Sequence, residues 1–85
     1  MSKNLKTKWE KSIGKAFLGR RIVKVEYLNK KEVGELDWYS VPCSFQLDNG
    51  VWFYPQQDDE GNDGGALFTT DKKLSIVPTL SPEDL

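Results

Sequence analysis

An α+β domain that is mainly β is predicted by three features of the chain. Apolar residues recur at helical spacing near the N-terminus, later segments alternate apolar and polar residues, and an Asn-Gly pair separates two such segments. Together they predict an N-terminal helix followed by a strongly bent antiparallel sheet of about five strands, an SH3-like small barrel with the helix across one opening. The 85 residues suffice for one modest core. Residues 1–80 are therefore expected to form a single small domain, with helix over 4–18, sheet or barrel over 20–78, and 81–85 as a frayed acidic tail.

The helix rests on Leu5, Trp9, Ile13, Ala16 and Phe17, with Lys8, Lys11 and Lys15 on the far side, Ser2 or Asn4 as cap and Gly19 past the end. Gly14 weakens it by roughly 1 kcal/mol relative to alanine, so burial of the stripe against a sheet is expected to hold it. The first strand follows at Arg20 to Leu28, where Val23, Val25 and Tyr27 alternate with Lys24 and Glu26. Between Asn29 and Leu36 a short helical turn capped by Asn29 is expected, with Gly34 arguing for irregularity.

Cys43, Phe45 and Leu47 alternate with Ser44, Gln46 and Asp48 before Asn49-Gly50 and Val51 to Tyr54. Asn-Gly suits a two-residue type I′ hairpin, because both central residues need positive φ. That register sets Leu47 opposite Trp52 and Phe45 opposite Tyr54 on one face. Phe53 then points the other way, either covered by the helix or exposed as a contact residue. Ala66 to Thr70 and Leu74 to Val77 are expected as two further short strands joined around Asp71-Lys72-Lys73, with Pro78 ending the last. Trp9, Trp38 and Trp52 are a heavy aromatic load for this length and are expected in the core.

Composition excludes several chemistries. Histidine is absent, which removes the commonest general base and zinc ligand, and no complete catalytic or nucleotide-binding signature occurs, so an enzyme is not expected. The single cysteine, Cys43, has no internal disulfide partner and lies in an apolar run where a buried, inert thiol is expected; a reducing, cytoplasmic setting fits. No apolar h-region and no run of about 18 apolar residues occurs, so neither secretion nor membrane insertion is expected.

The net charge of −1 conceals a dipole. Residues 1–24 hold eight cations against Glu10 alone, net +7, while the other 61 hold four lysines against twelve acids, net −8. Self-association follows as an expectation, basic helix of one copy to acidic loop of another, with a dimer as the expected form.

Two segments are candidate sites. Asp58, Asp59, Glu60, Asn62 and Asp63 offer hard oxygen ligands among glycines, the chemistry of a divalent-cation site. Counted as an EF-hand from Asp58, however, the sixth position is Asp63 rather than glycine and the twelfth is Thr69 rather than glutamate. Four carboxylates also repel a phosphate, and no P-loop lysine follows. The competing reading is a loop whose Asp and Asn side chains satisfy backbone amides. The second segment is basic: Lys8, Lys11, Lys15, Arg20 and Arg21 offer phosphate contacts, with exposed aromatics to stack bases, although the same lysines suit a solvated helix face.

The run Leu18-Gly19-Arg20-Arg21-Ile22-Val23, then Tyr27-Leu28, Trp38, Pro42 through Gly50, Tyr54-Pro55 and Asp58 through Leu67 resembles a group of small uncharacterised proteins of bacteria and their phages. The similarity covers roughly residues 17 to 78 and is most specific in the DDEGNDGGAL tract. It implies a stand-alone domain and brings no activity, cofactor or catalytic residue. The leading expectation is a non-enzymatic protein-interaction module of phage type, contacting a protein partner through Phe53, Asp58, Asp59, Glu60, Asn62 and Asp63. A nucleic-acid-binding small barrel and a divalent-cation-binding domain are the alternatives, and no cofactor is expected.

Overall fold

The computed structural model describes residues 2–85, with side chains from Asn4 onward. The cap expected from Ser2 lies outside the described side chains. The fold is α+β: helix α1 (Ser2–Phe17), strand β1 (Ile22–Tyr27), helix α2 (Lys30–Leu36), strands β2 (Cys43–Leu47), β3 (Trp52–Phe53), β4 (Leu67–Phe68) and β5 (Ile76–Val77), then a 3₁₀ turn at Pro82–Asp84. The strands form two separate antiparallel sheets, one in the order β1-β2-β3 and one of β4 with β5. Among the described residues no closed barrel is found.

Helix α1 does not lie across the sheet as its stripe suggested. Leu5, Trp9 and Ile13 are 58%, 60% and 48% exposed, and it is the last turn that meets the sheet, where Phe17 sets its ring edge-on to Phe53 at 5.0 Å. Length supplies the reason. Sixteen residues make a helix of about 24 Å, longer than strands of six, five and two residues at about 3.3 Å per residue, the last of which is the one that carries Phe53. The Cα radius of gyration is correspondingly 14.5 Å, against about 12 Å for a compact chain of this size.

Helix α2 forms where Asn29 predicts it. The Asn29 Oδ1 accepts from Glu32 N at 2.8 Å and Glu32 Oε1 accepts from Asn29 N at 2.9 Å, a complete capping box. The helix closes on Asp37, left-handed at φ 58, with Asp37 N donating to Gly34 O and Trp38 N to Val33 O at 2.9 Å. Val33 and Trp38 thereby turn inward. With Leu28 and Val41 they form the core, against which Tyr27 and Leu80 pack. The C-terminal segment is tied to the core by paired backbone bonds between Val41 and Leu80 and by Tyr27 Oη donating to Pro78 O at 2.8 Å. Of the three tryptophans expected in the core, Trp38 alone is there at 5% exposure; Trp52 is 38% exposed and Trp9 more so.

The β2–β3 hairpin exists, but its register differs by one residue from the Asn-Gly expectation. Leu47 N donates to Val51 O and Gly50 N to Leu47 O, so the loop is the three residues Asp48-Asn49-Gly50. Gly50 alone of them has positive φ, at 89°, which is a type I turn closed by a glycine bulge rather than type I′. Phe45 therefore opposes Phe53, and Gln46 opposes Trp52. One step of register exchanges faces. Phe53 joins Phe45, Leu47, Cys43 and Val25 on one side, while Trp52 and Tyr54 join Ser44, Lys24 and Glu26 on the other.

Candidate functional site

The acidic loop is built on close backbone approach. Gln57 N donates to Asp63 O at 2.9 Å, Gly65 N to Pro55 O at 3.0 Å, and Gln56 bridges Gly64. Trp38 reaches out of the core to donate its Nε1 to Gly61 O at 2.8 Å. Gly64 is buried where a Cβ would stand 2.6 Å from Pro42 Cδ and overlap the Ser40 carbonyl oxygen, so only a glycine lets the loop close on residues 40–42.

The carboxylates divide between two tasks. Asp63 Oδ1 accepts from the backbone amides of Tyr39 (3.0 Å), Ser40 (2.8 Å) and Gly64 (2.8 Å). Desolvation is the largest single influence on its acidity and pushes it up, but the amides of Ser40, Gly64 and Tyr39 with the Ser40 side chain together outweigh it and hold the carboxyl below its ordinary value. Asp58 accepts from Asn62 Nδ2 at 2.9 Å and from Glu60 N at 3.0 Å. The Asn62 side chain is the main reason its acidity is also strengthened. Asp58, Glu60 and Asn62 are thus brought together, Asp63 faces the 39–40 segment, and Asp59 and Glu60 are exposed. Among the described residues no group of three such side chains is placed to hold a metal ion.

Phe53 stands apart from this cluster, half-buried between Phe17 and Phe45, with which it stacks at 5.2 Å. The basic residues divide between α1 and the segment before β1. Lys8, Lys11 and Lys15 are exposed along α1, and Arg20, just before β1, pairs with Asp48 of the hairpin loop at 3.7 Å. Cys43 is buried, and burial pushes its thiol up, as expected of an inert side chain.

A groove that the sequence reading did not single out opens between α2 and the sheet, with a volume of about 340 Å³. Its floor is Leu28 and Ser44, its walls are Trp52, Tyr54 and Leu36, and Glu26, Glu32 and Glu35 supply three carboxylates. Trp38 stands edge-on to Tyr54 at 5.9 Å, so one indole supports both groove and loop. Lys24 Nζ lies 6.0 Å from the Trp52 ring, at the outer limit of a cation–π contact. The only sequence signal for this groove was the capped helix, whose i, i+3 spacing aligns Glu32 with Glu35. The aromatic half became visible with the true hairpin register. In the comparisons with known proteins, no family model, no curated protein and no solved structure matches the chain.

Proposed function

We propose that the protein is a non-enzymatic protein-interaction module, of phage type as the DDEGNDGGAL tract implies, whose groove between α2 and the sheet receives a cationic side chain of a protein partner. The observation that carries this reading is the lining: two aromatic rings and two leucines beside three carboxylates, in a volume suited to one long side chain. The preformed acidic loop extends the negative surface, with Asp59 and Glu60 exposed to the same partner. The uncovered stripe of α1 gives further apolar contact area. On this reading the module resembles SH3-like small barrels in presenting an aromatic groove on a small sheet, and its lone, buried Cys43 supports a cytoplasmic setting.

The test is an NMR titration of the full chain with capped glycine pentapeptides carrying a central arginine, lysine or glutamine. The two cationic peptides should shift the Trp52 indole resonance with Kd on the order of 1 mM. The glutamine peptide should not, and Glu35→Gln should weaken both cationic peptides severalfold. Equal response to all three peptides, or none, would overturn the reading. Nucleic-acid binding is a second reading, favoured by the exposure of Lys8, Lys11 and Lys15 on α1. Single-stranded DNA of mixed sequence should then bind at low salt and be released as salt rises, less tightly after Lys8, Lys11 and Lys15 are changed to glutamine.

A further inference from the structure

Strand β1 is an edge of its sheet, hydrogen-bonded to β2 on one side. Leu28 N donates to Pro42 O, and an antiparallel ladder alternates inward and outward residues. Glu26 and Lys24 therefore direct their backbone groups to β2, while Tyr27 and Val25 direct theirs away from it. The one irregularity of the strand falls between Ile22 and Lys24, which leaves the stretch from Lys24 to Tyr27 regular. Val25 is 59% exposed, and both Lys24 and Glu26 are exposed. Among the described residues neither has an ion-pair partner.

We infer that this edge pairs with the same edge of a second copy of the chain, in antiparallel register centred on Val25. The charge pattern selects both the occupant and the register. Outward residues must meet outward residues, so the two strands slide in steps that pair Val25 with Val25, with Val23 or with Tyr27. Centring on Val25 sets Lys24 opposite the second copy's Glu26 and Glu26 opposite its Lys24. These are non-hydrogen-bonded positions, where Cα atoms approach to about 4.5 Å and side chains are closest. Either neighbouring register instead sets Lys24 against Lys24 or Glu26 against Glu26. The edge is thus complementary to itself in one register only, as a two-fold interface requires. The inference stands on the β1 edge, whose Glu26 also lines the groove, and goes beyond the groove proposed above.

Sedimentation of the full chain over a wide concentration range tests it. A reversible dimer is expected, in which the Val25 amide is protected from hydrogen exchange while that of the monomer is not. Lys24→Glu and Glu26→Lys should each raise the dimer Kd about tenfold or more, since each replaces two attractions by two repulsions. The double variant Lys24→Glu/Glu26→Lys should recover wild-type dimerisation, and an equimolar mixture of the two single variants should form the heterodimer. A monomer up to 0.5 mM (about 5 g/L), or a dimer whose Kd is the same in all variants, would overturn the inference. Although Glu26 also lines the groove, the readout is dimerisation without any peptide, and the pattern over Lys24→Glu, Glu26→Lys and their combination does not depend on whether the groove binds a ligand.

Discussion

Replacement of Trp38 by alanine is expected to lower stability by about 3–5 kcal/mol, the usual loss for a large aromatic deleted from a core. A chain of 85 residues has roughly 4–13 kcal/mol to lose in total, so the loss takes about a quarter or more of the stability and brings the variant to its unfolding midpoint at the lower end of that range. Three contributions combine at this residue. Its ring is 5% exposed among Leu28, Val33 and Val41, it meets Tyr54 edge-on, and its Nε1 is the donor that holds Gly61 O. Trp38→Phe separates them, because it keeps the packing and removes the donor. That variant should lose only about 1–2 kcal/mol, mostly from the unpaired Gly61 carbonyl. Urea unfolding followed by far-UV circular dichroism measures both, and a Trp38→Ala loss below 1 kcal/mol would mean that the core is organised differently.

Asp63→Ala is the second large effect, expected at about 2–3 kcal/mol. Charge-assisted bonds are worth about 1.5–3 kcal/mol each when buried, and the partial exposure of this group reduces the sum over its three amides. Removal leaves Tyr39 N, Ser40 N and Gly64 N without the acceptor that joins the loop to the segment entering β2. The same carboxylate sets an acid limit. Its acidity is strengthened in the fold, so its contribution is complete above the unfolded value near 3.8 and is lost as pH falls through the lower folded value. Asp58 shifts in the same direction. Stability should therefore be flat with respect to these groups above about pH 5 and decline below pH 4, with a shallower decline in Asp63→Asn. Thermal unfolding from pH 2 to pH 7 gives the profile, and an identical acid slope in Asp63→Asn would show that the protons are taken up elsewhere.

Much of the local structure was legible because it depends on near neighbours. Asn29 and Glu32 can cap a helix only from their own positions, and they do. The alternation of Val25 and Tyr27 with Lys24 and Glu26 marks a strand in any fold that uses it. The acidic tract reads correctly as a loop whose Asp and Asn side chains serve backbone amides, since Asp58 and Asn62 are close in sequence. Less legible was the partner of Asp63, because Tyr39 and Ser40 lie more than twenty residues away. Two glycine-containing turn types compete at Asp48-Asn49-Gly50, and a difference of one residue decided which face received Trp52 and Tyr54. Periodicity likewise identifies an apolar face on α1 without revealing whether anything in the chain is wide enough to cover it.

From its residues alone, this protein is an α+β chain with an amphipathic basic helix, a capped second helix, short antiparallel strands and an acidic loop without histidine chemistry. Each of these follows from spacing, capping and composition, which act over a few residues. Tertiary structure decided that the strands make two sheets, that α1 stands largely uncovered, and that Trp38 joins core to loop. It also decided that Glu26, Glu32 and Glu35 share a groove with Trp52 and Tyr54. Those outcomes depend on register and on which distant surfaces meet, and a single step along a strand is enough to change them.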